Sequence, residues 1–178
     1  YAETVFYKII SSLGKTGIKK VLIDGDGLYH LAEFLNGNEL PRCAEFIITP
    51  HFMEASRIIK KSIIDIKNDR LRACVELARC TGCVAVLKGP ASIISDGDRS
   101  FINTTGNNGL ATAGSGDVLS GITGSFMNMN IPLIEAATAG VFIHGLCADI
   151  YTETNISSTM KASDIINNIR NALNRKNV

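Results

Sequence analysis

From Ala2 to Leu13 the apolar residues Val5, Phe6, Ile9, Ile10 and Leu13 recur at the spacing of one helix face, and Gly14 closes the run. The period then changes. Lys20-Val21-Leu22-Ile23-Asp24 is a short continuous apolar run with β-branched residues, bounded by glycines, which is the pattern of a buried strand. The alternation continues with a helix near 28–35, a strand at Phe46-Ile47-Ile48-Thr49, helices near 53–60 and 69–80, and a strand at Val84–Leu87. Strand and helix taking turns predicts βαβ units and a parallel sheet with right-handed crossovers. Two shorter runs, 92–95 and 100–103, flank Asp96-Gly97-Asp98, a hairpin signal that adds an antiparallel edge. The remainder reads as three helices, 117–129, 133–151 and 162–173. Pro132 suits the first turn of its helix, and Ser163 is placed to cap the last one. With no repeat or linker, residues 1–178 read as one α/β domain.

Composition narrows the class of partner. Hydrophobic residues make up 46% of the 178 positions and charged residues 20%, near the globular average, which excludes disordered, collagen-like and highly charged extended chains. Lys and Arg number 18 against 17 for Asp and Glu, so the net charge of +1 leaves no electrostatic footprint for nucleic acid or an anionic membrane. A small molecule is the expected partner. No apolar stretch approaches the roughly 20 residues needed to span a bilayer, and no signal peptide is evident, so the cytoplasm is the expected compartment. The cysteines Cys43, Cys74, Cys80, Cys83 and Cys147 are odd in number and scattered, so reduced thiols are expected. Cys80-Thr81-Gly82-Cys83 has metal or redox spacing, but it lacks a second pair and joins a helix end to a strand, which favours packing. The first residue is Tyr1, inside a helical run, so the chain reads as part of a longer polypeptide.

The strongest chemical signal is the loop from Asn103 to Asp117, rich in Gly, Thr and Asn, between a strand and an apolar helix. Small residues let backbone N–H groups crowd around an anion, and the following helix adds its positive end. This is the composition of a phosphate cradle, though also of a flexible surface connection. It is neither a Walker loop nor a dinucleotide fingerprint. Asp117, at the helix start, is either a first-turn acid stabilised by the dipole or a base facing the phosphoryl acceptor; both roles are compatible. Lys88-Gly89, Asp24-Gly25-Asp26-Gly27 and Thr49-Pro50-His51-Phe52-Met53-Glu54 also close strands, so polar groups converge beyond carboxyl ends, where open parallel sheets bind ligands. Asp26 and Glu54 could reach magnesium through water, or could serve as a helix cap and a first-turn acid. His51 could hydrogen-bond a ligand or merely cap. His144, among Phe142, Ile143 and Leu146, reads as a core histidine, and Met127 and Met129 as packing.

Leu87-Lys88-Gly89 together with the run from Thr105 to Gly121 resembles the ADP/ATP-dependent NAD(P)H-hydrate dehydratases, metabolite-repair members of the ribokinase-like superfamily. Thr49-Pro50-His51-x-x-Glu54-x-x-Arg57 and Asp24-x-Asp26-x-Leu28 match the family's other blocks in order, and residues 136–149, with His144-Gly145-Leu146, resemble its closing helix. The resemblance implies a ribokinase-like fold, a mostly parallel sheet flanked by helices with a short antiparallel hairpin, here without its N-terminal strands. It further implies that the hydrate's hydroxyl at carbon 6 is phosphorylated by ADP or ATP with magnesium, and that phosphate then leaves. Carried over, Asp117 is the catalytic base and contacts the hydrate. Lys88, Gly89, Pro90, Ala91 and Ser92, with Asn107, Asn108, Gly109, Leu110, Ala111, Thr112, Ala113, Gly114, Ser115 and Gly116, hold the nucleotide. His51, Glu54, Arg57 and Asp26 line the hydrate pocket, with Glu54 also a metal candidate.

The chain departs from the family at Phe52-Met53, where Pro-Gly is usual, and at Tyr29, often Asn; bulk there reshapes the hydrate pocket. Complete members carry roughly a hundred further residues before the equivalent of Ala2. The missing N-terminal segment or a second chain is therefore an expected partner, alongside a homo-oligomer, since an uncovered sheet edge invites association. A small-molecule kinase of the same superfamily and an inactive nucleotide-binding remnant are the alternative functions.

Overall fold

The apolar runs become strands and the periodic segments helices in the computed structural model, which describes residues 2–175. In chain order these are α1 (Ala2–Thr16), β1 (Lys20–Ile23), α2 (Asp26–Phe34), β2 (Glu45–Ile48), α3 (Phe52–Ile59), α4 (Ile63–Asn68), α5 (Arg70–Thr81), β3 (Val84–Leu87), β4 (Ile93–Ser95), β5 (Ser100–Ile102), α6 (Ser115–Met127), α7 (Leu133–Thr152) and α8 (Ala162–Asn174). The five strands form one sheet in the order β1-β2-β3-β4-β5. β1 pairs with β2 in parallel, Val21 opposite Phe46, and β2 with β3 in parallel, Ile48 opposite Ala85. β3 and β4 are antiparallel, Val86 opposite Ile94. The predicted parallel units and antiparallel edge are thus both present. The chain divides into two compact units, one running to Gly89 and including Ile93–Phe101, the other comprising Pro90–Ser92 and the residues from Ile102 onward.

In the sheet-bearing unit, Leu28, Leu31, Phe34, Ile48, Ala55, Ile66, Leu77 and Leu87 belong to one buried cluster. β3 is buried at every residue, as its unbroken apolar sequence requires. Each of the larger side chains, Val, Leu, Ile or Phe, contributes about 1.5–3 kcal/mol on burial. Helix α1 runs through Gly14 to Thr16: Leu13 is buried, the three residues after it are exposed, and the Thr16 hydroxyl donates to the Leu13 carbonyl at 3.1 Å. Helix α4 has no periodic signal, since six residues are fewer than two turns; it forms because Ser62 accepts a hydrogen bond from the Asp65 N–H at 3.1 Å and Ile66 is fully buried. Asp69 starts α5 in the same way, accepting from the Arg72 N–H at 3.0 Å. Asp26 is not a cap for a helix from Leu28; it is itself the first helical residue, behind Gly25 at φ 54°.

The second unit is built on α6, α7 and α8. Helix α7 corrects the expectation that no apolar stretch reaches membrane-spanning length, for its 20 residues carry a window of mean hydropathy 1.5. Of that window 61% is buried within the protein, and Ala136, Gly140, His144 and Cys147 on one stripe and Leu133, Ala137, Val141 and Ala148 on another are all buried. A helix covered on most of its circumference needs few polar residues. At Gly140 an added Cβ would lie 2.8 Å from the Thr123 Cα, so α6 and α7 touch backbone to backbone there. Ser163 lies inside α8 rather than capping it; the Lys161 N–H instead donates to the Asp164 carboxylate at 2.8 Å. Met127 is buried as expected, whereas Met129 is 51% exposed because it falls beyond the last turn of α6.

Cys80 is exposed and Cys83 buried, both as free thiols at the junction of α5 and β3. Burial pushes the thiols of Cys74 and Cys83 up to about 12 and that of Cys147 to about 11, so none of these is a thiolate near neutrality.

Candidate functional site

Parallel pairing brings the carboxyl ends of β1, β2 and β3 to one edge of the sheet-bearing unit, where Asp24, Thr49 to His51, and Lys88 follow them. The Thr49 N–H donates to the Ile23 carbonyl at 3.3 Å, and the Lys88 N–H donates to the Pro50 carbonyl at 2.8 Å. The Lys88 ammonium lies 2.8 Å from the Asp24 carboxylate, with side-chain exposures of 21% and 15%. Asp24 was not among the predicted site residues, although it stood in Asp-Gly-Asp-Gly after a strand and opened the block Asp24-x-Asp26-x-Leu28. Gly89 follows at φ 157°, where an added Cβ would come within 2.8 Å of the Phe52 ring, so the turn after Lys88 has no room for a side chain. That ring lies 5.6 Å from both the Lys67 ammonium and the Arg70 guanidinium.

His51 and Glu54 adopt the capping alternative left open by the sequence. The His51 Nδ1 accepts from the Met53 and Glu54 N–H groups, each at 3.2 Å, while the Glu54 carboxylate accepts from the His51 N–H at 2.8 Å. The other Glu54 oxygen lies 3.2 Å from the His51 Nε2. This geometry requires the proton on Nε2, because Nδ1 is an acceptor. Arg57, one turn further along α3, sits over the Tyr29 ring at 5.7 Å. Arg57 and Tyr29 are exposed, as is Asp26.

In the second unit, Pro90 and Ala91 are exposed, and Ala91 holds φ at 48°, a strained conformation for a residue with a Cβ. The Ser92 carbonyl accepts from the Asn103 N–H at 2.9 Å. The glycine-rich loop is held from one side by α7. The Thr105 hydroxyl donates to the Phe142 carbonyl at 2.8 Å. An added Cβ on Gly145 would lie 2.7 Å from the Thr105 carbonyl carbon, so the loop rests against bare helix backbone. Gly106 turns at φ 97°, and its N–H donates to the Asp149 carboxylate at 2.7 Å. The Asn107 amide donates to Asp149 at 3.0 Å and to the Thr152 hydroxyl at 3.2 Å, while its oxygen accepts from the Gly109 N–H at 3.0 Å.

The loop's main-chain donors therefore fall into two groups. Gly106 and Gly109 are bound as above, and Leu110, Ala111 and Ser115 donate to the carbonyls of Asn107, Asn108 and Thr112. Among the described residues, the N–H groups of Thr112, Ala113, Gly114, Gly116 and Asp117 donate to nothing. Helix α6 begins at Ser115 behind Gly114 at φ 82°, so these free donors run into its N-terminal turn, and exposed Asp117 stands in that turn.

Beneath this turn lies His144, 7% exposed, whose Nε2 is 3.0 Å from the Ser115 carbonyl and 3.2 Å from its hydroxyl. A carbonyl can only accept, so Nε2 carries the proton. Burial lowers the His144 pKa to about 4, and the ring is neutral at physiological pH. The core reading of His144 thus holds, with the addition that it secures the start of α6. Asp149 and Thr105 were missed as well, since their partners lie 43 and 37 residues away.

The structure places Lys88, Gly89, Asp26, His51, Glu54 and Arg57 in the sheet-bearing unit, and Pro90 to Ser92 and Asn107 to Asp117 in the other. Among the described residues no three His, Cys, Asp or Glu side chains are arranged to hold a metal ion.

The family described as NAD(P)H-hydrate dehydratase matches residues 7–171. An ADP-dependent (S)-NAD(P)H-hydrate dehydratase of Neisseria meningitidis is 38% identical over 150 residues, covering 83% of this chain and 51% of that protein. An ADP/ATP-dependent NAD(P)H-hydrate dehydratase of Bacillus subtilis, co-crystallized with ATP and Mg2+, superposes with a TM-score of 0.77 at 26% identity, over 86% of this chain and 54% of that one. A ribokinase-like superfamily protein of Enterococcus faecalis gives a TM-score of 0.81 at 25% identity, over 96% of this chain and 57% of that one. The fold is ribokinase-like, and the chain spans about half the length of each of these relatives.

Proposed function

The chain belongs to the NAD(P)H-hydrate dehydratase family, and on that premise we propose that it dehydrates hydrated NADH and NADPH at the expense of ADP or ATP, as a cytoplasmic metabolite-repair enzyme. The observation that carries this reading is the run of unpaired N–H groups at Thr112, Ala113, Gly114, Gly116 and Asp117, leading into an exposed carboxylate. Unpaired backbone donors at a helix N-terminus favour a phosphate, and they do so without a lysine at the end of the loop.

In the proposed reaction these amides hold the terminal phosphoryl group. Asp117 takes the proton from the hydroxyl on carbon 6 of the hydrate, and the oxygen attacks phosphorus. The bond from phosphorus to the bridging oxygen breaks, and the shortened nucleotide departs. Phosphate is a better leaving group than hydroxide, so the carbon–oxygen bond then breaks with loss of a proton from the neighbouring ring carbon, restoring the ring double bond. Developing charge on the transferred group is met by donors already oriented before reaction. Lys88 would add a cation toward the nucleotide, and His51, Arg57 and Asp26 would contact the hydrate.

Magnesium enters no step here, because Glu54 does not fit a ligand's role: one of its oxygens accepts from the His51 N–H and the other faces the His51 ring. A metal brought by nucleotide phosphates needs few protein ligands.

The test is to incubate the protein with hydrated NADH, magnesium and ADP or ATP and to follow reduced-nicotinamide absorbance. Its recovery, with stoichiometric phosphate release, is expected. Phosphate transfer to a sugar or vitamin alcohol without recovery would replace this reading with a kinase, and nucleotide binding with neither reaction would reduce it to a binding remnant.

A further inference from the structure

One buried-side feature is left over by the reaction just described: the carboxylate of Asp149, which faces the loop from α7. We propose that Asp149 is a positioning residue for nucleotide binding, an internal anion that fills the first half of the loop so that only the second half is open to a phosphate. The proposal rests on the reading of this loop as the nucleotide site.

Both oxygens of Asp149 are committed. One accepts from the Gly106 N–H at 2.7 Å and the other from the Asn107 side-chain amide at 3.0 Å. The first is short, as hydrogen bonds to an ionised acceptor are. Asn107 relays the constraint, because its oxygen accepts from the Gly109 N–H at 3.0 Å while Thr152 holds its amide from the other side at 3.2 Å. One carboxylate therefore accounts, directly or through Asn107, for both glycine donors in the first half of the loop. Gly106 has no freedom to seek another arrangement: its φ of 97° and the 2.9 Å separation between an added Cβ and Leu110 leave space for nothing larger. Gly109 is equally confined, with an added Cβ 2.9 Å from the Ser157 carbonyl. The turn at Asn108–Leu110 is thereby fixed, and the donors of Thr112, Ala113, Gly114, Gly116 and Asp117 that follow it are those left without partners among the described residues.

The arrangement sorts the loop by role. Amides 106 and 109 already have an acceptor, so a phosphate placed on them would have to displace Asp149 and would meet its negative charge. Amides 112, 113, 114, 116 and 117 have none. The side chain of Asn107, predicted to touch the nucleotide, is spent on the carboxylate, on Thr152 and on Gly109, and acts through the shape of the loop.

The donor and acceptor at positions 107 and 149 can be exchanged, which gives a test that a general folding defect does not imitate. In Asp149→Asn the new amide opposes the Asn107 amide, donor against donor. In the double variant Asn107→Asp with Asp149→Asn, position 149 again accepts from Gly106 and now donates to position 107, which still accepts from Gly109. Calorimetry with ADP and with ATP is expected to show about tenfold weaker binding for Asp149→Asn and recovery to within about threefold of wild type for the exchanged pair. At saturating nucleotide, kcat is expected to stay within about twofold, because Asp117 is untouched, so the loss falls on KM. Thr152→Val, which removes one contact of Asn107, is the milder companion and is expected to weaken binding about threefold. Amide exchange at Gly106 in the ligand-free protein, slow in wild type and at least about tenfold faster in Asp149→Asn, reports the clamp itself. Unchanged affinity in Asp149→Asn, or an exchanged pair no better than the single variant, overturns the proposal. Failure of the wild-type protein to bind either nucleotide overturns the reading of the loop instead, and the Gly106 exchange distinguishes the two failures.

Discussion

The strand-end edge of the sheet-bearing unit and the glycine-rich loop of the helical unit carry their candidate groups in opposite ways. At the edge the chemistry lies in side chains, and at rest they satisfy one another: Lys88 with Asp24, His51 with Glu54. In the loop the chemistry lies in the main chain: the Gly106 N–H is taken by Asp149 of α7, whereas those of Thr112, Ala113, Gly114, Gly116 and Asp117 are unsatisfied among the described residues. A ligand at the edge must exchange a partner before it gains one, whereas an anion at the loop meets donors that are already free. Substitutions should therefore grade smoothly at the edge and act abruptly in the loop.

Four outcomes would sharpen or break that contrast. The largest is at Asp117: Asp117→Asn should lower the rate of reduced-nicotinamide recovery by about a thousandfold while leaving nucleotide affinity within about threefold, since the base is lost and the amides remain. Near-normal turnover would remove Asp117 from the mechanism. Next is Gly145→Ala, whose methyl group would sit 2.7 Å from the Thr105 carbonyl carbon; a destabilisation of about 2–3 kcal/mol is expected by thermal denaturation, with weakened nucleotide binding.

The third outcome concerns His144, whose pKa is lowered to about 4 from an ordinary 6.5. Between these values the unfolded chain binds the extra proton, so the stabilising contribution is complete above about pH 6.5 and is lost as pH falls toward 4, on the order of 3 kcal/mol in all. His144→Gln should flatten that part of the stability–pH curve, and an unchanged curve would show that His144 is not its source. The smallest effect is at the edge: a double-mutant cycle of Lys88→Met with Asp24→Asn should return a coupling of about 1 kcal/mol. A coupling as large as the loop effects would erase the distinction between the two regions.

How much of this was legible in the sequence depended on range. Strands β1, β2 and β3 were plain because three or four consecutive apolar residues bounded by glycine or polar turns have few other uses, and Asp96-Gly97-Asp98 between two short runs marked the hairpin. Helix α4 was hidden by its brevity, and α8 was given the wrong cap because Ser163 and Asp164 are both capping residues and only geometry separates them. Composition marked the loop as either a phosphate cradle or a flexible connection, and the place of Asp117 at a helix start was legible. Which amides are free was not, because the Gly106 N–H is taken by Asp149, 43 residues away. The same holds for Lys88 and Asp24, separated by 64 residues and joined only when β1 and β3 come to lie in one sheet. Local rules carry the elements; long-range pairing carries the site's resting state.

Three ties from one helix, Thr105 to Phe142, Gly106 to Asp149 and Ser115 to His144, fasten both ends of the loop to a common rod. The conformational entropy of ordering that segment is thus incurred when α7 docks, not when an anion arrives. Association there should resemble the filling of a preformed mould, with a small heat-capacity change and fast on-rates, rather than the wrapping of a slack strap.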